Sequence, residues 1–415
     1  MDSNRPVESK RLDLQLVAAG TAPSEDRGLP VVPVPRITPR LLAPMSASSN
    51  ASASLPAVLY CEPATGALRV ASLTLLDRLL VAVHRAGCGP IRVVGAGELP
   101  ELKRSRALGV AFGLVRDTPP LNGPTLIATT GQLVQAGDVR AAKEARGRLG
   151  TTDGRPMPVG VASRWEGSVA ASLESAPTLT ATGVAKIVSN LADAQVAERA
   201  LWASLNSSSD GFVDKWFNRP VGRPLSKLII HTPITPNQVS VASIAIGVVA
   251  GVLFGLGQHF WSVVAGVLFQ ISAIVDCVDG DVARSVFKES PLGKWLDLVG
   301  DQVVHAAVFA GIAVGLWRSG LSGPFLWLGG SAVLGGLIAF VVVVRGMTKK
   351  GEPNRRLQKL IDGATSRDFS VLVLALACLN HLEWFLWMAA IGSHAFWVLA
   401  LGLQLFPGKA AESAR

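Results

Sequence analysis

The run DCVDGDVARSVFKESPLGKWLDLVGD sets the aspartates Asp276, Asp279, Asp297 and Asp301 between long apolar stretches. Carboxylates at membrane depth are expensive unless something neutralises them, and a bound metal is the natural candidate. Asp276 and Asp279 are three apart, and Asp297 and Asp301 four apart, so each pair lies on one face of its own helix. Two facing helices then offer four carboxylates to a shared point. Hard oxygen donors suit Mg2+ or Mn2+, and two such divalent ions can bridge a diphosphate while holding an attacking and a leaving oxygen in line. Such chemistry needs no covalent protein nucleophile. Gly280 and Ala283 would let a bulky nucleotide diphosphate approach the backbone, and Arg284 presents a fixed fork of donors suited to phosphate. Ser290 followed by Pro291 reads as an N-cap and first helical residue, starting a helix that carries Gly293, Asp297 and Asp301 along its inner side.

The elements that must position these groups are apolar runs of roughly membrane-spanning length. They fall at 238–256, 260–278, 292–317, 325–344, 369–382 and 384–406, which predicts six transmembrane helices. The break from Asp279 to Lys294 carries Arg284, Lys288 and Lys294, and the break from Arg345 to Arg367 carries seven Lys or Arg. By the positive-inside rule both loops, the N-terminus and the carboxylate site face the cytoplasm, as in a multi-pass protein of a cell inner membrane. Just before the first run, Trp216 and Phe217 stand among Lys215, Arg219, Arg223 and Lys227, a mixture suited to an interfacial helix at headgroup level. The net charge of +9 gathers beside the apolar runs and only one Tyr is present, so a nucleic-acid partner is not expected. The four cysteines lack CxxC spacing and read as free thiols.

These residues match D-x-x-D-G-x-x-A-R, eight residues, then G-x-x-x-D-x-x-x-D at every position, and so resemble the signature of the CDP-alcohol phosphotransferase (phosphatidyltransferase) family. HTPITPNQVS, before the first run, also resembles that family, with Thr235, Pro236 and Asn237 near where the cytidine is expected. The resemblance implies that Asp276, Asp279, Asp297 and Asp301 hold two divalent ions. It also implies that Asp301 deprotonates an acceptor hydroxyl and that Gly280, Ala283, Arg284 and Gly293 line the nucleotide. The implied partners are a CDP-alcohol donor (CDP-diacylglycerol or a CDP-polyol), an alcohol acceptor such as inositol phosphate, membrane lipid and a second copy in a homodimer. Lys288, Arg345 and Arg367 are candidate grips for a phosphorylated acceptor, and His305, one turn beyond Asp301, could assist a proton transfer. A carboxylate-lined cation transporter is the alternative from another class.

Ahead of the membrane half, residues 1–56 are rich in Pro, Ser and Ala and read as a disordered tail. Residues 57–193 alternate β-like runs (AVLY, IRVVG, PTLIATT) with helical patterns, the rhythm of an α/β domain. Its opening resembles a nucleotidyltransferase, and the fusion resembles the bifunctional inositol-phosphate cytidylyltransferase and di-inositol-phosphate-phosphate synthase arrangement. An active member would make its own CDP-alcohol, but the loop EPATGALR keeps only Gly66 and Arg69, and Thr130 and Gly131 stand where a metal-binding aspartate is expected. The expectation is a degenerate domain, followed by a linker and interfacial helix (194–237), the membrane domain (238–406) and a cytoplasmic tail (407–415).

Overall fold

Strand β1 (Leu55–Tyr60) stands at the centre of the α/β half because its alternate residues, Ala57 and Leu59, are apolar and fully enclosed. The computed structural model describes residues 54–95, 97–205, 210–348 and 369–405. Arg367 and nearly all of the two predicted tails lie outside them. β1 pairs in parallel with β2 (Cys88–Val94) on one side and with β4 (Thr125–Thr129) on the other, and β3 (Phe112–Val115) extends the sheet beyond β2. Beyond β4 come β6 (Pro156–Ala162), antiparallel, then β5 (Arg148–Gly150) and β7 (Thr178–Thr180), giving the order β7-β5-β6-β4-β1-β2-β3.

Helix α1 (Leu75–Arg85) begins where the Thr74 hydroxyl accepts from the Asp77 amide, an N-cap of the kind worth about 1 kcal/mol. Its Leu76, Leu79, Leu80 and Val83 press on the sheet, with α2 (Ala136–Ala145) beside it. Helix α3 (Leu191–Ser204), capped by Asn190, buries Ala194, Ala197, Leu201 and Trp202 in a second core. That core is shared between the two halves: Leu73, Leu75 and Leu133 meet Val278, Val282 and Val286 of the membrane half in it. The four cysteines are free, as expected.

A π-turn over Asp214–Asn218 runs into α4 (Arg219–Ile229). Phe212, Trp216, Phe217, Leu225 and Leu228 are exposed, while Arg219 and Gly222 face inward. Gly222 allows a close approach, since a Cβ there would come within 3.2 Å of the Ile274 carbonyl oxygen.

The bundle follows as α5 (Pro236–Phe254), α6 (His259–Ser285), α7 (Pro291–Arg318), α8 (Phe325–Thr348), α9 (Phe369–Cys378) and α10 (Leu382–Leu405). Five of these are long and apolar enough to cross a membrane, and α9 is shorter, with ten residues. The second apolar run was expected to end at Val278, yet α6 continues unbroken to Ser285. Charges there mark the exit from hydrocarbon without breaking the helix, because neither Pro nor a competing cap intervenes before Ser290. The helix ends in a turn at Phe287, whose φ is +58°. Ser290 then caps α7 as expected, its hydroxyl accepting from the Gly293 amide at 2.9 Å. Small residues bring α5 onto α7: a Cβ on Gly311 or Gly315 would collide with the carbonyl of Gly251 or Phe254. Trp317, Trp327, Trp384 and Trp387 are exposed near helix ends, where interface anchors belong.

Candidate active site

Asp276 and Asp279, one turn apart on α6, meet Asp297 from α7. Their carboxylate oxygens all lie within 4.8 Å of one another. Asp279 is buried, Asp276 half-buried and Asp297 exposed, so the group opens to one side. The expected fourth member, Asp301, sits one turn further along α7 and is not in this group. Three like charges so close in an apolar bundle repel one another strongly, and an all-carboxylate oxygen set is what a hard divalent cation requires. The residues therefore fit Mg2+ or Mn2+.

Helix α5 fixes two of these carboxylates. Thr235 caps it in a reciprocal capping box with Gln238, and Pro236 takes the first helical position. One turn on, the buried Ser240 hydroxyl donates to Asp279, and Ser243 donates to Asp276 at 3.3 Å. Ser272 of α6 donates back to the Ser243 carbonyl at 2.7 Å, locking α5 and α6 in register. Partners of this kind orient metal ligands, and losing one typically costs 10- to 100-fold in metal affinity. Ser240→Ala should therefore weaken Mn2+ binding by roughly tenfold in a spectroscopic titration while leaving the helices intact.

Asn237 and Gly293, both expected beside the nucleotide, are brought together: a Cβ on Gly293 would lie 3.1 Å from Asn237 Oδ1. Arg284 folds back over Gly280, so that a Cβ there would lie 3.0 Å from its Nη1, and donates to Asp281 at 3.2 Å. The absent side chain at Gly280 thus makes room for the guanidinium itself.

Asp281 is the residue the sequence did not single out. Two positions after Asp279, it points about 200° round the helix, away from the carboxylate group. It is almost fully buried and accepts from Arg219 of α4 as well as from Arg284. Arg219 in turn holds both oxygens of Asp210 at 2.5 Å. Removing one member of such a buried pair typically costs about 3–5 kcal/mol, because a charge is left uncompensated. The signal available was Asp281 itself, a carboxylate inside the motif at a position that the motif leaves free.

The remaining candidates are dispersed. Lys288 lies in the turn after α6, where burial and then the neighbouring Arg104 lower its ammonium pKa. Arg345 lies near the end of α8. His305 packs its ring against Phe369, with centroids 5.0 Å apart, and against Phe309 at 6.1 Å, a place in the aromatic core of the bundle.

Five helices long and apolar enough to cross a membrane thus accompany three carboxylates that could hold a hard divalent cation. Residues 233–399 match the CDP-alcohol phosphatidyltransferase family model. It is 28% identical over 201 residues to a bifunctional IPC transferase and DIPP synthase of Archaeoglobus fulgidus, covering 47% of this chain and 39% of the relative. It is 35% identical over 99 residues to a phosphatidylinositol phosphate synthase of Streptomyces avermitilis, covering 23% and 38%. The chain spans at most 40% of the length of the four bifunctional relatives compared. A solved phosphatidylinositol phosphate synthase of Mycobacterium tuberculosis with CDP-DAG bound aligns with TM-score 0.33 and 20% identity, over 44% of this chain and 92% of that one.

Proposed function

We propose that this chain transfers the phosphoryl-alcohol group of a CDP-alcohol to an acceptor alcohol and releases CMP. The observation that carries this is the group Asp276, Asp279 and Asp297 inside the matched family domain, with oxygens within 4.8 Å of one another. These three, with Asp301, would hold two divalent ions, Mg2+ or Mn2+, which when bound neutralise the diphosphate and the departing CMP. Asp301 takes the proton of the acceptor hydroxyl. The freed oxygen forms a bond to the donor's β-phosphorus as the bond from that phosphorus to the bridging oxygen breaks. Arg284, steadied by Asp281, faces the nucleotide phosphates with Gly280 and Ala283, while Thr235, Pro236, Asn237 and Gly293 bound the cytidine end.

The relatives' printed names support a polyol phosphate acceptor, such as inositol phosphate, with CDP-diacylglycerol or a soluble CDP-polyol as donor. Lys288, Arg345 and Arg367 are the candidate acceptor-side cations. The protein is proposed to be a homodimer in a cell inner membrane, with α9 as a short sixth span and the carboxylate site cytoplasmic. The exposed Trp216, Phe217 and Leu228 support α4 and its preceding turn lying at the lipid surface.

The α/β half is proposed to be a degenerate nucleotidyltransferase-like domain. Ligands of such sheets bind beyond the carboxyl ends of the strands. There, after β1 and β4, the Thr65 and Thr130 hydroxyls bond each other at 2.9 Å, and Thr130 also accepts from the Glu62 amide. Arg69 is committed to Glu101 at 2.6 Å. These mutual contacts support a single transferase site over a chain that also makes its own CDP-alcohol.

The test is CMP release by the detergent-purified chain with CDP-diacylglycerol and a panel of polyol phosphates. Release should require Mg2+ or Mn2+, stop with EDTA and return when metal is restored. CMP formed only with a CDP-choline-type donor and diacylglycerol would overturn the polyol acceptor. Cation flux in proteoliposomes without nucleotide turnover would overturn the transferase.

A further inference from the structure

Phe287 sits in the turn that joins the two halves of the carboxylate motif, and a left-handed φ of +58° at a bulky residue is strained. Such a turn persists only where its surroundings hold it. Three arginines from the α/β half converge there. Arg104 donates to the Phe287 carbonyl from Nε at 2.9 Å and Nη2 at 2.5 Å, and Arg85 Nη2 donates to the same oxygen at 3.1 Å. Arg78 reaches the Ser285 carbonyl at 2.7 Å while its Nε holds the Val70 carbonyl at 2.7 Å. The guanidinium carbons of Arg78 and Arg85 lie 5.5 and 5.0 Å from the centroid of the Phe287 ring, within cation–π range. Arg85 also pairs with Glu289 at 2.6 Å. The backbone at Arg104 is itself braced, since the Asp77 carboxylate accepts from the Arg104 and Ser105 amides at 2.7 Å each.

The clamped turn lies between Arg284 and the Ser290 cap of α7. Its shape therefore sets the angle at which α7 presents Asp297 to Asp276 and Asp279. We propose that Arg78, Arg85 and Arg104 are positioning residues for the carboxylate centre, so that a domain without chemistry of its own acts as a clamp on the turn between the two metal-bearing helices. This rests on the transferase reading above. Burial lowers the Arg78 guanidinium to about 10 and, with Arg85 nearby, lowers Arg104 as well, but these groups remain cationic at neutral pH and keep donating.

The experiment compares the full chain with its Arg85→Ala/Arg104→Ala double variant and with Arg104→Lys. Arg85 and Arg104 are only half-buried, so these changes spare the sheet core. Mn2+ binding is followed by electron paramagnetic resonance, and CMP release is resolved into kcat and donor KM. The double variant should bind Mn2+ roughly tenfold more weakly and lose kcat to a similar degree, with donor KM little changed. Arg104→Lys, which still offers a donor to the Phe287 carbonyl, should recover part of the loss. If melting shows the double variant unfolded, Glu289→Gln takes its place, with Mn2+ binding expected to weaken by roughly threefold. Isotherms and turnover matching the wild type would overturn the clamp. A wild type that binds Mn2+ but turns nothing over would overturn the transferase reading, leaving the isotherms to decide the clamp. A wild type that binds no Mn2+ would overturn both.

Discussion

Asp279→Asn should lower metal-dependent CMP release by roughly 10³-fold, because a metal centre supplies several kcal/mol of charge stabilisation and each 1.36 kcal/mol is a factor of ten. Asparagine has the same shape, and its carbonyl oxygen can still accept from Ser240, so the packing around α5 and α6 is preserved. What is lost is one negative charge from a group whose oxygens lie within 4.8 Å of one another. The same substitution should therefore raise the melting temperature of the metal-free protein, since it relieves repulsion between a buried charge and its like-charged neighbours. Opposite signs for activity and stability are the signature to look for. An Asp279→Asn protein within tenfold of wild-type turnover would show that the developing charge is neutralised elsewhere.

Gly311→Ala should be the most disruptive single methyl group in the bundle. Its Cβ would overlap the Gly251 carbonyl, and two fixed backbones cannot move apart without opening the whole α5–α7 contact. Small residues at a helix crossing matter in membranes because close packing stands in for the missing hydrophobic drive. A loss of roughly 3 kcal/mol or more is expected, in the range where overpacking strain unfolds marginal proteins. Since α7 also carries Asp297, activity should fall with the fold. Gly330→Ala on α8 is the control, as a Cβ there meets nothing within 4 Å and alanine is the better helix former. Unfolding measured in detergent should separate the two variants clearly, and equal stability would refute the close crossing.

What could be read from sequence was whatever is local. The pairs Asp276/Asp279 and Asp297/Asp301, the Ser290 cap and the alternation of strands and helices each depend on residues close to one another in the chain. The partners of those residues were not legible. Ser240 and Asp279 are 39 positions apart, Arg219 and Asp281 are 62, and Arg78 and Ser285 are 207. No periodicity reaches across such distances. The same limit explains α6: a cluster of charges ends an apolar run in a hydropathy reading, but backbone hydrogen bonding continues through Ser285. Arg284 shows the complementary case, since its motif position was legible, whereas its fold over Gly280 toward Asp281 needed the geometry.

With α4 at the lipid surface, as proposed above, Arg219 would link the bilayer to the carboxylate group. The helix that carries it shows Leu225 and Leu228 outward, while the arginine itself is joined to Asp281 two residues from Asp279. A helix so placed binds in proportion to the apolar area it inserts, and that insertion depends on lipid composition. Lipid composition would thereby become a physical input to the geometry around Asp279, felt through one buried ion pair.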